Sequence, residues 1–249
     1  HAASNPNSNF LNNPIEVYEA NILWTHELLK LAKRDKSTFI FFSSSEVYGN
    51  FNTNRILKTT DVTNSNSNVV QSIYPDSKRL AETICLGWSK KNKVKTIIIR
   101  LFHTYGPFIN IEDGRIFSDI IKNLLNNKPF VLQNLTNKRC FCYATDFLKA
   151  FLLIISKSKK NFNIHNLGNI YQEFSIEDLL KEIKAEFKEL NISIHKAKLK
   201  NKDINKLSIK RSRPDIEPLL EYGWKPEITV RQGFRRTYNY FVDIKKKVK

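Results

Sequence analysis

Residues 38–49 read Thr-Phe-Ile-Phe-Phe-Ser-Ser-Ser-Glu-Val-Tyr-Gly, a short apolar run that stops on three serines and a carboxylate. A run of this kind, too short for a helix and without polar alternation, marks a strand buried on both faces of a parallel sheet. Residues 96–101, Thr-Ile-Ile-Ile-Arg-Leu, repeat the pattern with β-branched side chains. Stretches of helical spacing flank both runs. Residues 14–34 set Ile15, Tyr18, Ile22, Leu29 and Ala32 near one face, and residues 75–91 are expected to bury Leu80, Ala81, Ile84 and Trp88. Helix and strand in alternation predict an α/β fold, a parallel sheet with helices on both faces.

The second half is less regular and predicts a small C-terminal α/β lobe. A helix is expected over 115–126, a strand over 129–133, a helix capped by Asp146, and a strand over 162–167 ending at Gly168. Ser175 and Asp178 resemble a capping box, as do Thr229 and Gln232 before a helix over 229–241, with a turn at Tyr222-Gly223-Trp224 between them. The expected division is residues 1–107 for the sheet domain and 108–249 mainly for the lobe, with some elements returning to the sheet.

Composition narrows the function classes. The 249 residues are 41% hydrophobic and 12% aromatic, enough for a real core. No apolar run reaches the roughly 20 residues that cross a bilayer, and no leader pattern opens the chain, so a soluble, cytoplasmic protein without membrane contact is expected. The chain opens at His1 and holds no methionine, which reads as the C-terminal three-quarters of a longer protein. Cys85, Cys140 and Cys142 form no even framework and offer no metal-site spacing, so no metal is expected and they read as reduced core thiols. The formal charge of +17 invites a nucleic-acid reading. Against it, the lysines are spread along the whole chain, and clusters such as Lys157-Ser158-Lys159-Lys160 fall at element ends, so nucleic acid is not the expected partner.

Tyr74-x-x-x-Lys78 carries the chemistry. Four residues apart on a helix, the two side chains stand one turn apart on one face. An ammonium near a phenol favours the phenolate, which can then take a proton from a hydroxyl group. A serine from the preceding strand tip can orient that hydroxyl and relay the proton.

With Ser43-Ser44-Ser45-Glu46-Val47-Tyr48-Gly49 before it, this pattern resembles the extended short-chain dehydrogenase/reductase family, the NAD-dependent sugar-nucleotide epimerases, dehydratases and decarboxylases. The resemblance covers nearly the whole chain and implies a Rossmann-like fold whose first strands and glycine-rich loop are missing here. It implies a catalytic set of Ser44, Tyr74 and Lys78 with Glu46, and NAD as cofactor. Cofactor contacts are implied for Ala2 and Ala3 (in a segment like the family's H-x-A-[AG]), Asn21, Ser43, Tyr74, Lys78, Leu101 and Phe102. Substrate contacts are implied for Ser45, His103, Arg115, Arg139 and Arg213, the last two matching diphosphate-binding arginines in segments like R-D-[FW]-x-x-V-x-D and R-P-D…L-G-W-x-P. Two guanidinium forks suit a diphosphate.

The resemblance also implies a UDP-linked sugar nucleotide as substrate and a homodimer built through the Tyr-Lys helix and the helix before it. It departs in two places. The family's Gly-x-x-Gly-x-x-Gly turn, which seats the dinucleotide pyrophosphate on a helix N-terminus, is absent from a chain with seven glycines. Trp24 stands where the family usually has glycine. Ser45-Glu46 and Asp113-Gly114-Arg115-Ile116-Phe117-Ser118 resemble UDP-glucuronate decarboxylases, so decarboxylase ranks first, epimerase next and 4,6-dehydratase third. A non-catalytic, basic binding protein that keeps the fold is the alternative of another class.

Overall fold

The computed structural model describes residues 13–49, 54–61, 63, 68–132, 135–188, 194–196 and 210–247. Its centre is a parallel sheet of three strands in the order β1-β2-β7, namely β1 (Phe39–Ser44), β2 (Thr96–Leu101) and β7 (Phe162–Leu167). The register pairs Ser44 with Leu101 and Leu101 with Leu167, so all three strands end level. Every residue from Thr96 to Arg100 is buried, which explains why the run is apolar without alternation.

One face of the sheet is covered by α1 (Pro14–Tyr18), α2 (Trp24–Arg34) and α3 (Ile73–Asn92). Leu29, Ala32, Ala81 and Cys85 pack there on Phe39, Phe41 and Ile98. α1 and α2 form one helical stretch interrupted by a π-helical turn, Glu19–Leu23, which places Asn21 inward. Such turns insert one extra residue and re-aim a side chain. The other face carries α5 (Ala144–Lys157) and α7 (Glu217–Glu221), with Ala150, Ile154, Leu219 and Trp224 on Ile97, Ile99 and Leu167.

α3 buries Tyr74, Ser77, Lys78, Ala81, Glu82, Cys85 and Ser89, an i, i+3, i+4 stripe that is mostly polar. Leu80 is therefore turned outward and 49% exposed, correcting the apolar face expected from sequence; Ile84 and Trp88 are half-buried. Pro75 costs nothing in the first turn, where its missing N–H has no intrahelical partner.

Around the sheet's C-terminal end sit three small sheets. β10 (Arg211–Ser212) and β8 (Glu173–Ser175) flank β5 (Lys138–Cys140); β3 (Thr104–Tyr105) pairs with β6 (Cys142–Tyr143); and β4 (Phe130–Leu132) pairs with β9 (Ile194–Lys196). They pack with α4 (Ile116–Leu125), α6 (Ile176–Glu186) and α8 (Val230–Lys247) around an aromatic cluster of Tyr105, Phe117, Phe141, Tyr143, Phe187 and Phe234. Tyr105 stacks on Phe117 with centroids 3.9 Å apart. Gly233 lets α8 approach this cluster: a Cβ there would collide with the Tyr105 hydroxyl and the Tyr143 ring.

The capping box expected before α8 forms in full, and the one before α6 forms by half. Thr229 Oγ1 accepts the Gln232 amide while Gln232 Oε1 accepts the Thr229 amide. At α6 the Ser175 hydroxyl accepts the Asp178 amide and donates to the Asp178 carboxylate, since the shorter acid does not reach back to the backbone. Asp146 does not cap α5, which begins at Ala144. Its Oδ2 instead accepts the amides of Glu227 and Ile228, and its carbonyl accepts Trp224 Nε1, so it fastens the turn leading into α8. The three cysteines are buried and unpaired.

Candidate active site

The strands β1 and β2 end at a cleft of about 250 Å³, lined by Ser43, Ser44, Ser45, Glu46 and Tyr74 on one side and by Leu101, Phe102, His103, Arg115 and the start of α4 on the other. In open parallel sheets the crevice beyond the carboxyl ends of the strands is where ligands bind. The level strand ends described above are what place Ser44 and Phe102 side by side.

Past Ser44 the chain turns at once into a 3₁₀ turn, Ser45–Tyr48, whose N-cap is the Ser44 side chain accepting the Glu46 amide at 3.1 Å. The turn swings Glu46 over the cleft. From α3, the buried Tyr74 hydroxyl shares a hydrogen bond with Ser44. One turn on, Lys78 is fully buried, donates to the Phe42 carbonyl at 2.9 Å, and sits 5.9 Å from the centre of the Tyr74 ring. Behind this turn Asn21 Nδ2 donates to Ser77 Oγ, which donates to the Tyr74 carbonyl. The Asn21 Oδ1 is buried without a protein partner among the described residues.

Electrostatics differ from the sequence expectation in one respect. The Tyr-Lys spacing predicts that Lys78 lowers the Tyr74 pKa. Burial and the neighbouring Glu46 instead hold the phenol above its usual value, and the opposing influences are the Ser44 hydrogen bond and Arg115. Lys78 is itself lowered to about 8, chiefly by burial, with Glu82 opposing. Glu46 is raised to about 7 by burial, against the pull of Arg139. His103 is lowered to about 3 by burial and by Arg139 and Arg115, so it is a neutral imidazole at working pH.

The structure thus brings Ser43, Ser44, Ser45, Glu46, Tyr74, Leu101, Phe102, His103 and Arg115 to one cleft, with Lys78 and Asn21 directly behind Tyr74. Arg115 is paired with Asp113 at 2.5 Å. Arg139 is close enough to act on both Glu46 and His103. Arg213 lies farther round, 3.5 Å from Glu173, and does not line the cleft. Ala2 and Ala3 fall outside the described residues.

Sequence reading missed a buried polar network beneath the cleft. Arg100 of β2 grips Glu82 of α3 through Nε at 3.0 Å and Nη2 at 2.7 Å, and the Ser43 hydroxyl donates to the same carboxylate at 2.5 Å. Arg100 Nη1 reaches the Tyr48 hydroxyl and the Thr59 carbonyl, both at 3.0 Å. Tyr48 donates on to Asn166, whose amide donates to the Leu57 carbonyl. The available signal was an arginine inside the apolar run of residues 96–101 and a carboxylate one turn after Lys78.

Comparisons with known proteins agree with this architecture. The chain is 30% identical over 226 residues to UDP-glucuronic acid decarboxylase 6 of Arabidopsis thaliana, covering 89% of this chain but 62% of that relative's length. UDP-glucose 4-epimerase of Thermus thermophilus, solved in complex with NAD, superposes with a TM-score of 0.82 at 19% identity over 97% of this chain and 76% of its own. UDP-glucuronic acid 4-epimerase of Bacillus cereus, solved with UDP-glucuronic acid and NAD, gives 0.80 at 22% identity over 94% and 70%. These two likenesses show the fold. The model of the NAD dependent epimerase/dehydratase family matches residues 1–168, and the chain belongs to that family.

Proposed function

We propose that the protein, with NAD, remodels the sugar of a UDP-linked sugar nucleotide through a transient 4-keto sugar, as a UDP-glucuronate decarboxylase first and an epimerase next. The observation that carries this reading is the Tyr74 hydroxyl bonded to Ser44, with Lys78 beneath the ring and Glu46 facing the same cleft. The 30% identity to a UDP-glucuronic acid decarboxylase supports the order of the two.

The described residues fit the nicotinamide end of NAD: two parallel strands end at the cleft, Lys78 offers ammonium hydrogens beside Tyr74, and Ser43, Leu101 and Phe102 form the floor. NAD, when bound, supplies the hydride acceptor for the sugar C4 and a positive ring that favours the Tyr74 phenolate. Tyr74 takes the proton of the sugar 4-hydroxyl, with Ser44 holding that hydroxyl in line. The C4–H electron pair leaves as hydride, and a C4 ketone forms. In a uronic acid this ketone is β to the carboxylate, so the C5–C6 bond can break, carbon dioxide leaves, and its electron pair rests on the ketone oxygen. Glu46, raised to about 7, then gives a proton to C5. As C4 is reduced again, Tyr74 returns its proton to O4, which completes the cycle. Arg115 and Arg139 supply positive charge for the anionic substrate, and Ser45 and His103 supply neutral polar contacts; Arg213 serves the diphosphate from the lobe's rim.

Incubating the enzyme expressed from its complete gene with UDP-glucuronate and NAD should release carbon dioxide and a UDP-pentose. A 4-epimer without carbon dioxide moves the reading to epimerase, and no conversion of any UDP-sugar refutes it. Tyr74→Phe should abolish turnover while sugar-nucleotide binding survives.

Exposed apolar side chains on neighbouring helices, Ile15, Tyr18 and Trp24 on α1 and α2 and Leu80 on α3, support a homodimer through this face. Trp24→Glu should then yield monomers in sedimentation. The unpaired thiols suit a cytoplasmic setting. The cleft's lining by Ser44, Glu46 and Tyr74 on one side and by Arg115 and Phe117 on the other supports a sheet domain over residues 1–107 and a substrate lobe mainly over 108–249.

A further inference from the structure

Glu82 is among the least expected charges in this protein. It lies on the buried stripe of α3, one turn after Lys78, with 7% of its surface exposed. Burying a carboxylate is costly unless its oxygens are paired. Here they are: Arg100 takes both in a bidentate fork, and the Ser43 hydroxyl adds a bond to Oε1. The network crosses three elements and ends on Ser43, next in sequence to the serine that bonds Tyr74.

We propose that Glu82, clamped by Arg100, is a positioning residue for the reaction: it ties down the strand end that bears Ser44 and keeps a fixed negative charge one helical turn from Lys78. This rests on the function proposed above, in which Lys78 must stay an ammonium beside Tyr74. The surroundings of Lys78 make the need plain. Its Nζ lies 4.7 Å from the Phe41 ring centre and finds the Phe42 carbonyl, and burial alone drives it towards the neutral amine.

The other groups facing it supply no negative charge at neutral pH. Cys85 is pushed up to about 12 by burial, Tyr74 is held protonated, and Asn21, Ser43 and the β1 backbone do not titrate. Arg100 is a cation and is paired with Glu82. Glu82 and Cys85 both favour the ammonium of Lys78, and with the Cys85 thiol pushed up to about 12 the charge is left to Glu82, held in its pair with Arg100.

The test is a titration of Lys78 by nuclear magnetic resonance in protein labelled with carbon-13 at the lysine ε position, its resonance assigned by its loss in Lys78→Arg. In the native protein the midpoint should fall near 8. Glu82→Gln, which keeps the shape, should lower it by about one unit, the low end of what a neighbouring opposite charge imposes. The alkaline limb of kcat/KM should move by the same amount. Because Glu82→Gln also strands Arg100, a second variant, Glu82→Gln with Arg100→Met, removes both charges; its melting temperature should recover while the Lys78 midpoint stays low.

A midpoint unchanged in these variants overturns the proposal, as does an alkaline limb at its native position while only the melting temperature falls. The Lys78 titration is read without substrate, so failure of the UDP-glucuronate assay leaves its outcome distinct.

Discussion

Replacing Glu46 by glutamine separates the acid–base role of this residue from its cost to the fold. Glu46 is half-buried and titrates near 7 in the folded protein, against 4.5 for an ordinary glutamate. At about 1.4 kcal/mol per unit, ionising it inside the fold costs on the order of 3 kcal/mol. The sign follows from the raised value. The native protein has its full stability from this group below pH 4.5 and loses it as pH climbs through 7, because the unfolded chain ionises freely and the folded one does not. Glu46→Gln has no such loss.

Denaturant unfolding at a series of pH values should therefore show the variant gaining on the native protein between about pH 4.5 and 7, then holding a roughly constant lead of up to 3 kcal/mol. The same variant should lose the kinetic limb near 7. The Tyr74 phenol, no longer facing a carboxylate, should ionise at lower pH than in the native protein, read by ultraviolet titration. A stability difference that is flat with pH, or a limb near 7 that survives in the glutamine variant, refutes the assignment of that titration to Glu46.

Further outcomes follow from other features. Gly233→Ala should destabilise by about 1–3 kcal/mol in thermal unfolding, although alanine is the better helix former, because its methyl would meet the buried Tyr105 and Tyr143 rings; a stabilised variant contradicts this packing. Asp146→Ala leaves the Glu227 and Ile228 amides without their acceptor and should cost about 3 kcal/mol, with hydrogen exchange quickening first at the start of α8. His103→Asn should leave the pH–rate profile between 5 and 9 unmoved, since His103 is neutral throughout; disappearance of a limb near 6.5 would show the opposite.

The parallel sheet was legible because strands buried on both faces leave unbroken apolar runs, as residues 39–42 and 97–99 do. That Ser44, Glu46 and Tyr74 share one cleft was legible only through the resemblance, since roughly 30 residues separate the strand tip from the helix and only the Tyr74–Lys78 spacing is local. The Glu82–Arg100 pair escaped because Glu82 alone reads as an ordinary helix surface charge, and only the β2–α3 packing brings it to the arginine inside the apolar run. The same burial of charge on α3 rotated Leu80 outward, so an apolar count along that helix pointed to the wrong face. Asp146 met the local rule for a cap, yet two amides from residues 227 and 228 competed for it successfully. Short-range rules rank local partners and are blind to distant ones.

The register of the central sheet has a consequence for how the molecule comes into being. Phe39 pairs with Thr96, and Thr96 with Phe162, so no two neighbouring strands are close along the chain. Closing such long loops before any contact rewards them makes assembly slow. On the ribosome, the central sheet would stay incomplete and open to chaperones and proteases until β7 had emerged to pair with β2. Closure of this sheet is thus a late event in synthesis, and a nascent chain halted before residue 162 would expose the apolar edge of β2.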